Sequence, residues 1–392
     1  MQRRISSNLA GSHCMCQLIY HPDYKKYDLG QGHPFDPRRA EMVLDLLKEI
    51  GYLKQKIIKP EPLSVQDLLE VHDPEYINAI ETVSGGKELP NIEDYGLGTL
   101  DNPIVPNMAE AARLQAGGTV LGAELLIQNK ANKVLQLGGG FHHARKSMAE
   151  GFCLYNDLAL AIRKMTNNGW HVVYLDLDVH HGDGVQEIFY SDENVMTISF
   201  HESGEYLFPG TGWIYELGKG MGRSLKLNLP LEPFTEGKSY LEVFNGVVPP
   251  ALAWFKPDAL VVQAGADAHY SDPLADLMLT TKDFENIYRR VIKLAGKFCK
   301  GRILFTFGGG YSLTATPRIW TILYLLLFNL EFPVELPEKW RKEWGNKIGK
   351  QLPGLLHDPD PAFDPIPKKI EIESHNKELI QRITDIVAPD WL

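Results

Sequence analysis

The chain has 392 residues, 44% apolar and 23% charged, with 40 basic against 50 acidic side chains for a net charge of -10. This is the composition of a soluble globular protein whose core needs no disulfide or metal staple. The acidic balance argues against a broad nucleic-acid footprint, which requires clustered Lys and Arg, but a local acidic rim would suit a cationic substrate.

Four scattered cysteines, Cys14, Cys16, Cys153 and Cys299, form no disulfide framework and are expected to be reduced thiols of a cytoplasmic protein. Residues 1–16 hold two arginines but no apolar h-region, so no signal peptide is expected and the segment reads as disordered. A helical period then covers 37–50 and 106–128. The strand-like run "VLQL" follows at 134–137, a helix at 156–168, and further strands at 172–175 ("VVYL"), 195–200 ("VMTISF") and 259–263 ("ALVVQ"). A capped helix is expected at 281–299 and a strand at 303–307 ("ILFTF"). The apolar run 319–332 falls short of the roughly 18 residues of a membrane span and reads as a core helix. From 335 the chain turns proline-rich and charged, ending in a short helix near 371–387. Strands alternating with helices give an α/β fold with a mostly parallel sheet covered on both faces. One domain over 17–334 is expected, with 335–392 packed on it as a C-terminal extension.

Each of these strands runs into polar or glycine-rich residues: "GGGFHH", "DLDVHH", "HESGEY", "AGADAH" and "GGGYS". Ligand sites in open α/β sheets gather beyond the carboxyl ends of the strands, so five loaded ends point to one shared site. Asp178 and His180, two apart on an extended segment, face one side and make two ligands for a divalent metal. A third must come from elsewhere. Asp267 is the best candidate, with His269 and Asp272 as competitors, and the set fits zinc or ferrous iron. The plainer alternative is that Asp-x-His caps the following helix. His142 and His143 follow three glycines, and as acid–base groups they need orienting carboxylates, for which Asp176 and Asp183 are available.

In order along the chain, "LGGGFHHAR", "GFCLYND", "LDLDVHHGDGVQEIFY", "ISFHESGEYLFPGTG", "QAGADAHYSDPLADL" and "FGGGYSLTATPRIW" resemble the zinc-dependent histone deacetylase family, above all its prokaryotic acetoin-utilisation branch. The likeness runs from about residue 17 to 380. It implies a single-domain arginase/deacetylase fold with a central parallel sheet of about eight strands. It also implies roles for particular residues. Asp178, His180 and Asp267 would hold the metal, and His142 and His143 would be the tandem histidines, with Asp176 and Asp183 as partners. Tyr311 would support the oxyanion. Gly151, Phe152 and Phe208 would wall a narrow tunnel, Asp101 would bind substrate backbone at the rim, and Arg39 would stand near an inner acetate channel. Potassium would lie against Asp176, Asp178, His180, Ser199 and Phe200, with a second, outer potassium where Asp192 replaces a neutral residue. Phe141 and "ADAHYSDPL" depart mildly from the family pattern and bear on substrate choice.

The resemblance implies removal of acetyl groups from Nε-acetyl-lysine in proteins. An acetylpolyamine deacetylase on the same core is the alternative in substrate, and a catalytically silent acyl-lysine binder the alternative in class. No nucleic-acid or membrane partner is expected.

Overall fold

A computed structural model describes residues 16–391. Short apolar runs build one sheet: β1 Cys16–Ile19, β2 Ile57–Ile58, β3 Lys133–Gln136, β4 Val172–Asp176, β5 Val195–Glu202, β6 Lys226–Leu231, β7 Ala259–Gln263 and β8 Ile303–Thr306. Their order is β2-β1-β3-β8-β7-β4-β5-β6, and every pairing is parallel. β4, β5, β7 and β8 are buried along their whole length, as strands covered by helices on both faces must be. The helices are α1 Arg39–Glu49, α2 Val65–Leu68, α3 Pro74–Ser84, α4 Met108–Ile127, α5 Asp157–Thr166, α6 Asp183–Ile188, α7 Gly237–Phe255, α8 Thr281–Phe298, α9 Thr316–Leu327, α10 Glu338–Ile348 and α11 Lys369–Trp391. None of these is long and apolar enough to cross a membrane among the described residues.

The five strands expected from apolar runs form within a residue or two of their expected bounds, and the eight-stranded α/β sheet is the one that the resemblance implies. The expectation of disorder over 1–16 lies outside the described residues except at Cys16. That residue opens β1 and pairs in register with Lys133 of β3. Several elements escape pattern reading, β6 and α7 among them. β6 contains Pro230, which a strand tolerates because β6 is the sheet edge. α7 carries Pro249 and Pro250 inside it, where proline removes helical hydrogen bonds. Packing against α8 and α11 holds α7 together regardless.

α8 starts as its sequence implies. Thr280 accepts from Asp283 N while the Asp283 side chain accepts from Thr280 N, a reciprocal capping box. The C-terminal segment is fastened by polar contacts from buried groups. Trp340 Nε1 donates to Met42 O of α1 at 2.9 Å. Asn376 Nδ2 donates to Thr235 Oγ1 at 2.7 Å and Ser239 Oγ at 3.0 Å.

Candidate active site

The strand order sets β3, β8, β7 and β4 side by side. Their carboxyl ends deliver His142 and His143, Gly308 to Tyr311, Asp267, and Asp176 to His180 into one place. Asp178, His180 and Asp267 each offer a ligand atom, all within 4.8 Å of one another. His180 Nδ1 lies 3.0 Å from Asp178 Oδ1 and 3.3 Å from Asp267 Oδ2. His269 and Asp272, the competing ligands, face away. His269 Nε2 meets Asp358 at 2.9 Å, and Asp272 accepts the backbone N–H groups of Tyr311 and Ser312.

The trio fits a divalent ion on two observations. First, Asp267 is 0% exposed beside a second buried carboxylate. Burial and the Asp178 charge push Asp267 up to about 8. For His180, burial opposes the charged form, but the two carboxylates outweigh it and push the imidazole up to about 10. Without another cation the chain must hold protons there, because unpaired buried charge is costly. Second, a Cβ on Gly309 would stand 1.9 Å from Asp267 Oδ2 and 2.6 Å from Asp178 Oδ2, so only glycine leaves this space open.

The histidines carry different loads. His142 Nδ1 is 2.8 Å from Asp176 Oδ2, which also accepts from Tyr174 Oη at 2.7 Å. Its Nε2 lies 3.8 Å from Asp178 Oδ1. Burial works against protonation, yet Asp176 and Asp178 push His142 up to about 9. His143 Nδ1 is 2.7 Å from Asp183 Oδ1, and the other Asp183 oxygen accepts from Arg145 Nη2 at 2.7 Å. Burial and the nearby His142 and His180 hold His143 well below its usual range. Burial lifts Asp183 to about 6 against the pull of Arg145.

Around this floor stand aromatic walls. Phe208, 40% exposed, lies 5.1 Å from the His143 ring and 6.4 Å from His180. Phe152 lies 5.7 Å from Tyr311 and holds a φ of 70°, a region costly for an aromatic residue. Gly151 before it is required, since a Cβ there would meet His143 Cδ2 at 2.4 Å and Phe208 Cε1 at 3.0 Å. Asp101 sits exposed on a loop, its carbonyl 3.3 Å from His33 Nε2. The His33 ring in turn lies 4.4 Å from Phe152. Arg39 is buried behind the site and donates to Gly308 O at 2.9 Å and Gly310 O at 2.8 Å. It lines an inner cavity with Tyr24, Gln115 and Trp320 that shares Phe35 and Gly139 with the pocket above.

Of the expected potassium set, Asp176 at the end of β4 pairs in register with Ser199 inside β5, and Phe200 follows it. At the outer position the Asp192 carboxylate meets Arg163 at 3.1 Å. Beside it Lys226 Nζ donates to Val195 O at 2.6 Å and reaches Asp192 O at 3.4 Å.

Sequence reasoning missed Arg145, Tyr174, Gln263 and His33. Gln263 Nε2 donates to Asp178 Oδ2 at 2.5 Å. Its one sequence signal was a polar residue ending an otherwise apolar run. His72 was missed too. Its Nε2 accepts from Asn156 N at 3.0 Å, so Nδ1 carries the hydrogen toward Arg145 O, also at 3.0 Å. Burial pushes His72 down to about 4 from 6.5. Below pH 6.5 the unfolded chain gains a proton that the folded chain refuses. Stability should therefore be full above about pH 6.5 and fall toward pH 4, by on the order of 3 kcal/mol for this residue. His201, also pushed down to about 4, adds to the slope. Denaturant midpoints between pH 7.5 and 4.5 check this, and His72→Phe should flatten the slope while lowering stability at neutral pH.

The histone deacetylase domain family matches residues 33–327. The acetoin utilization protein AcuC of Bacillus subtilis (strain 168) is 40% identical over 370 residues, covering 93% of this chain and 95% of that protein. AcuC of Staphylococcus aureus (strain MRSA252) is 36% identical over 313 residues, covering 79% and 80%. Among solved structures, an HDAC homologue complexed with SAHA superposes with a TM-score of 0.83 at 28% identity, covering 93% of this chain and all of that one. The HDAC homologue from Aquifex aeolicus gives 0.81 at 28% identity. Family match, relatives and fold agree with the strand-end geometry: the chain belongs to the histone deacetylase family.

Proposed function

We propose that the protein is a metal-dependent amidohydrolase that removes acetyl groups from Nε-acetyl-lysine side chains of proteins. The observation that carries this reading is the convergence of the Asp178–His180–Asp267 trio, the His143–Asp183 pair and Tyr311 on one pocket walled by Phe152 and Phe208. A divalent ion held by the trio, zinc or ferrous iron, would supply Lewis-acid polarisation of the acetyl carbonyl and a water of lowered pKa. Potassium would lie against Asp176, Asp178, His180, Ser199 and Phe200, offsetting buried carboxylate charge.

The chain's own groups do the rest. Phe152 and Phe208 flank the lysine methylenes and exclude water, and Asp101 at the rim accepts from substrate backbone N–H groups. Neutral His143, oriented by Asp183, takes the proton of the attacking water at Nε2 and returns it to the departing amine. His142, held protonated by Asp176, supplies positive charge beside it. The Tyr311 hydroxyl, which has no hydrogen-bond partner among the described residues, donates to the oxyanion. Arg39, behind the tyrosine loop, faces the inner cavity where acetate would leave. No disulfide joins Cys16, Cys153 or Cys299 among the described residues, which suits a reducing cytoplasm.

The test compares turnover of an acetyl-lysine peptide and acetylspermidine by the metal-loaded protein. Peptide turnover well above that of the polyamine supports the proposal. Turnover of acetylspermidine alone moves the substrate to small cations, and tight peptide binding without acetate release makes the protein an acyl-lysine binder.

A further inference from the structure

We infer that Asp358, in the C-terminal segment, is a positioning residue for this site, fixing the loops that carry Asp267 and Tyr311. The inference rests on the deacetylase reading for its activity arm and on geometry for the rest. Asp358 is nearly fully buried, at 4% side-chain exposure. One of its oxygens accepts from His269 Nε2 at 2.9 Å and Thr281 N at 2.8 Å, and the other from Arg318 Nη2 at 2.8 Å. Its own N–H donates to Thr281 Oγ1 at 2.8 Å. The segment is held in turn by Arg318 Nη1 donating to Leu356 O at 3.0 Å. A carboxylate so fully engaged has one orientation.

From there the contacts lead back to the chemistry. His269 stands two residues beyond Asp267. Its Nδ1 accepts from Ser271 N at 3.2 Å, which leaves the ring hydrogen on Nε2, aimed at Asp358. Ser271 Oγ lies 2.9 Å from that same Nδ1 and 2.9 Å from Ser312 Oγ, and Ser312 Oγ lies 3.2 Å from Thr314 Oγ1. Hydroxyl hydrogens can therefore all point one way, from Thr314 through Ser312, Ser271 and His269 to the carboxylate. A chain polarised in one direction strengthens each of its links. It passes beside Tyr311, whose N–H is held by Asp272 in the same loop as Ser271. So the residue that closes the network comes from the C-terminal segment, while the groups it fixes are a ligand loop and the oxyanion donor's loop.

Two variants separate positioning from plain stabilisation. Ser271→Ala, at an exposed position, breaks the link to Ser312 and leaves the Asp358–Arg318 pair alone. Asp358→Asn removes the acceptor charge at constant shape. Each is compared with wild type in kcat and KM on an acetyl-lysine peptide, in zinc retention against a chelating dye, and in amide exchange at residues 311 and 312 of the metal-free protein. Disturbing groups that orient ligands typically costs 10–100-fold in activity or metal affinity. We expect kcat to fall about tenfold in Ser271→Ala, with KM within about twofold. In Asp358→Asn we expect a larger fall, weaker zinc retention and faster exchange at both amides. If kcat per metal-loaded molecule, zinc retention and exchange all match wild type, even in a variant that melts earlier, the positioning role is overturned. If wild type itself releases no acetate, the deacetylase reading fails, and zinc retention with amide exchange alone decides the inference: altered in Asp358→Asn supports it, unchanged overturns it.

Discussion

Asp267→Asn is expected to abolish acetate release and, at the same time, to leave the metal-free protein as stable as wild type or more so. The two effects have one cause. Asp178 and Asp267 bring two buried carboxylates together around a single imidazole, an arrangement that is unfavourable without a cation and strongly favourable with one. A neutral isostere removes the like-charge repulsion and still accepts from Val179 N, a bond of 3.0 Å in the wild type. It also removes one of the three proposed ligands, so activity should fall by more than the roughly 100-fold upper range for disturbing a ligand's supporting partner. Thermal melts with and without zinc check both halves. Wild type should gain stability on adding zinc by mass action, and the variant should gain little or none.

Tyr311→Phe is the second large effect. Burial and the nearby Asp267 and Asp178 charges push the Tyr311 phenol well above its usual range, so it stays a hydrogen donor at every working pH. Loss of one oxyanion donor costs roughly 10²–10³-fold in kcat. Because the donation strengthens as charge develops on the oxygen, kcat should fall while KM changes little. Peptide kinetics on the variant, with zinc content matched to wild type, measure the split. Equal losses in both parameters would instead make Tyr311 a wall of the pocket.

How much of this was readable depends on where each residue finds its partner. Asp178 and His180 sit within one strand end, so their spacing alone marked a candidate ligand pair. The third ligand stayed open between Asp267, His269 and Asp272, because only the packing of β7 beside β4 decides which of them points inward. Arg145, Gln263 and Asp358 were invisible as functional residues. Their partners Asp183, Asp178 and His269 lie on other elements, and no local period marks them. The fold shows the same division. β4, β5, β7 and β8 are apolar runs that can only be buried strands. β6 hides its nature because Lys226 and Asn228 are polar yet buried. Lys226 is satisfied by backbone carbonyls, and Asn228 Nδ2 donates to Gln186 Oε1 at 2.8 Å and Glu216 O at 3.1 Å, while its Oδ1 finds no partner among the described residues.

In the proposed function one divalent ion, held by Asp178, His180 and Asp267, serves amide hydrolysis. Titrating zinc into chelator-stripped protein while following acetate release from an acetyl-lysine peptide tests it most directly. No release is expected before zinc is added, and then a rise that saturates at one ion per chain, with Asp267→Asn flat throughout. Full release from the stripped protein, or a bound equivalent of zinc that brings no release, would contradict it.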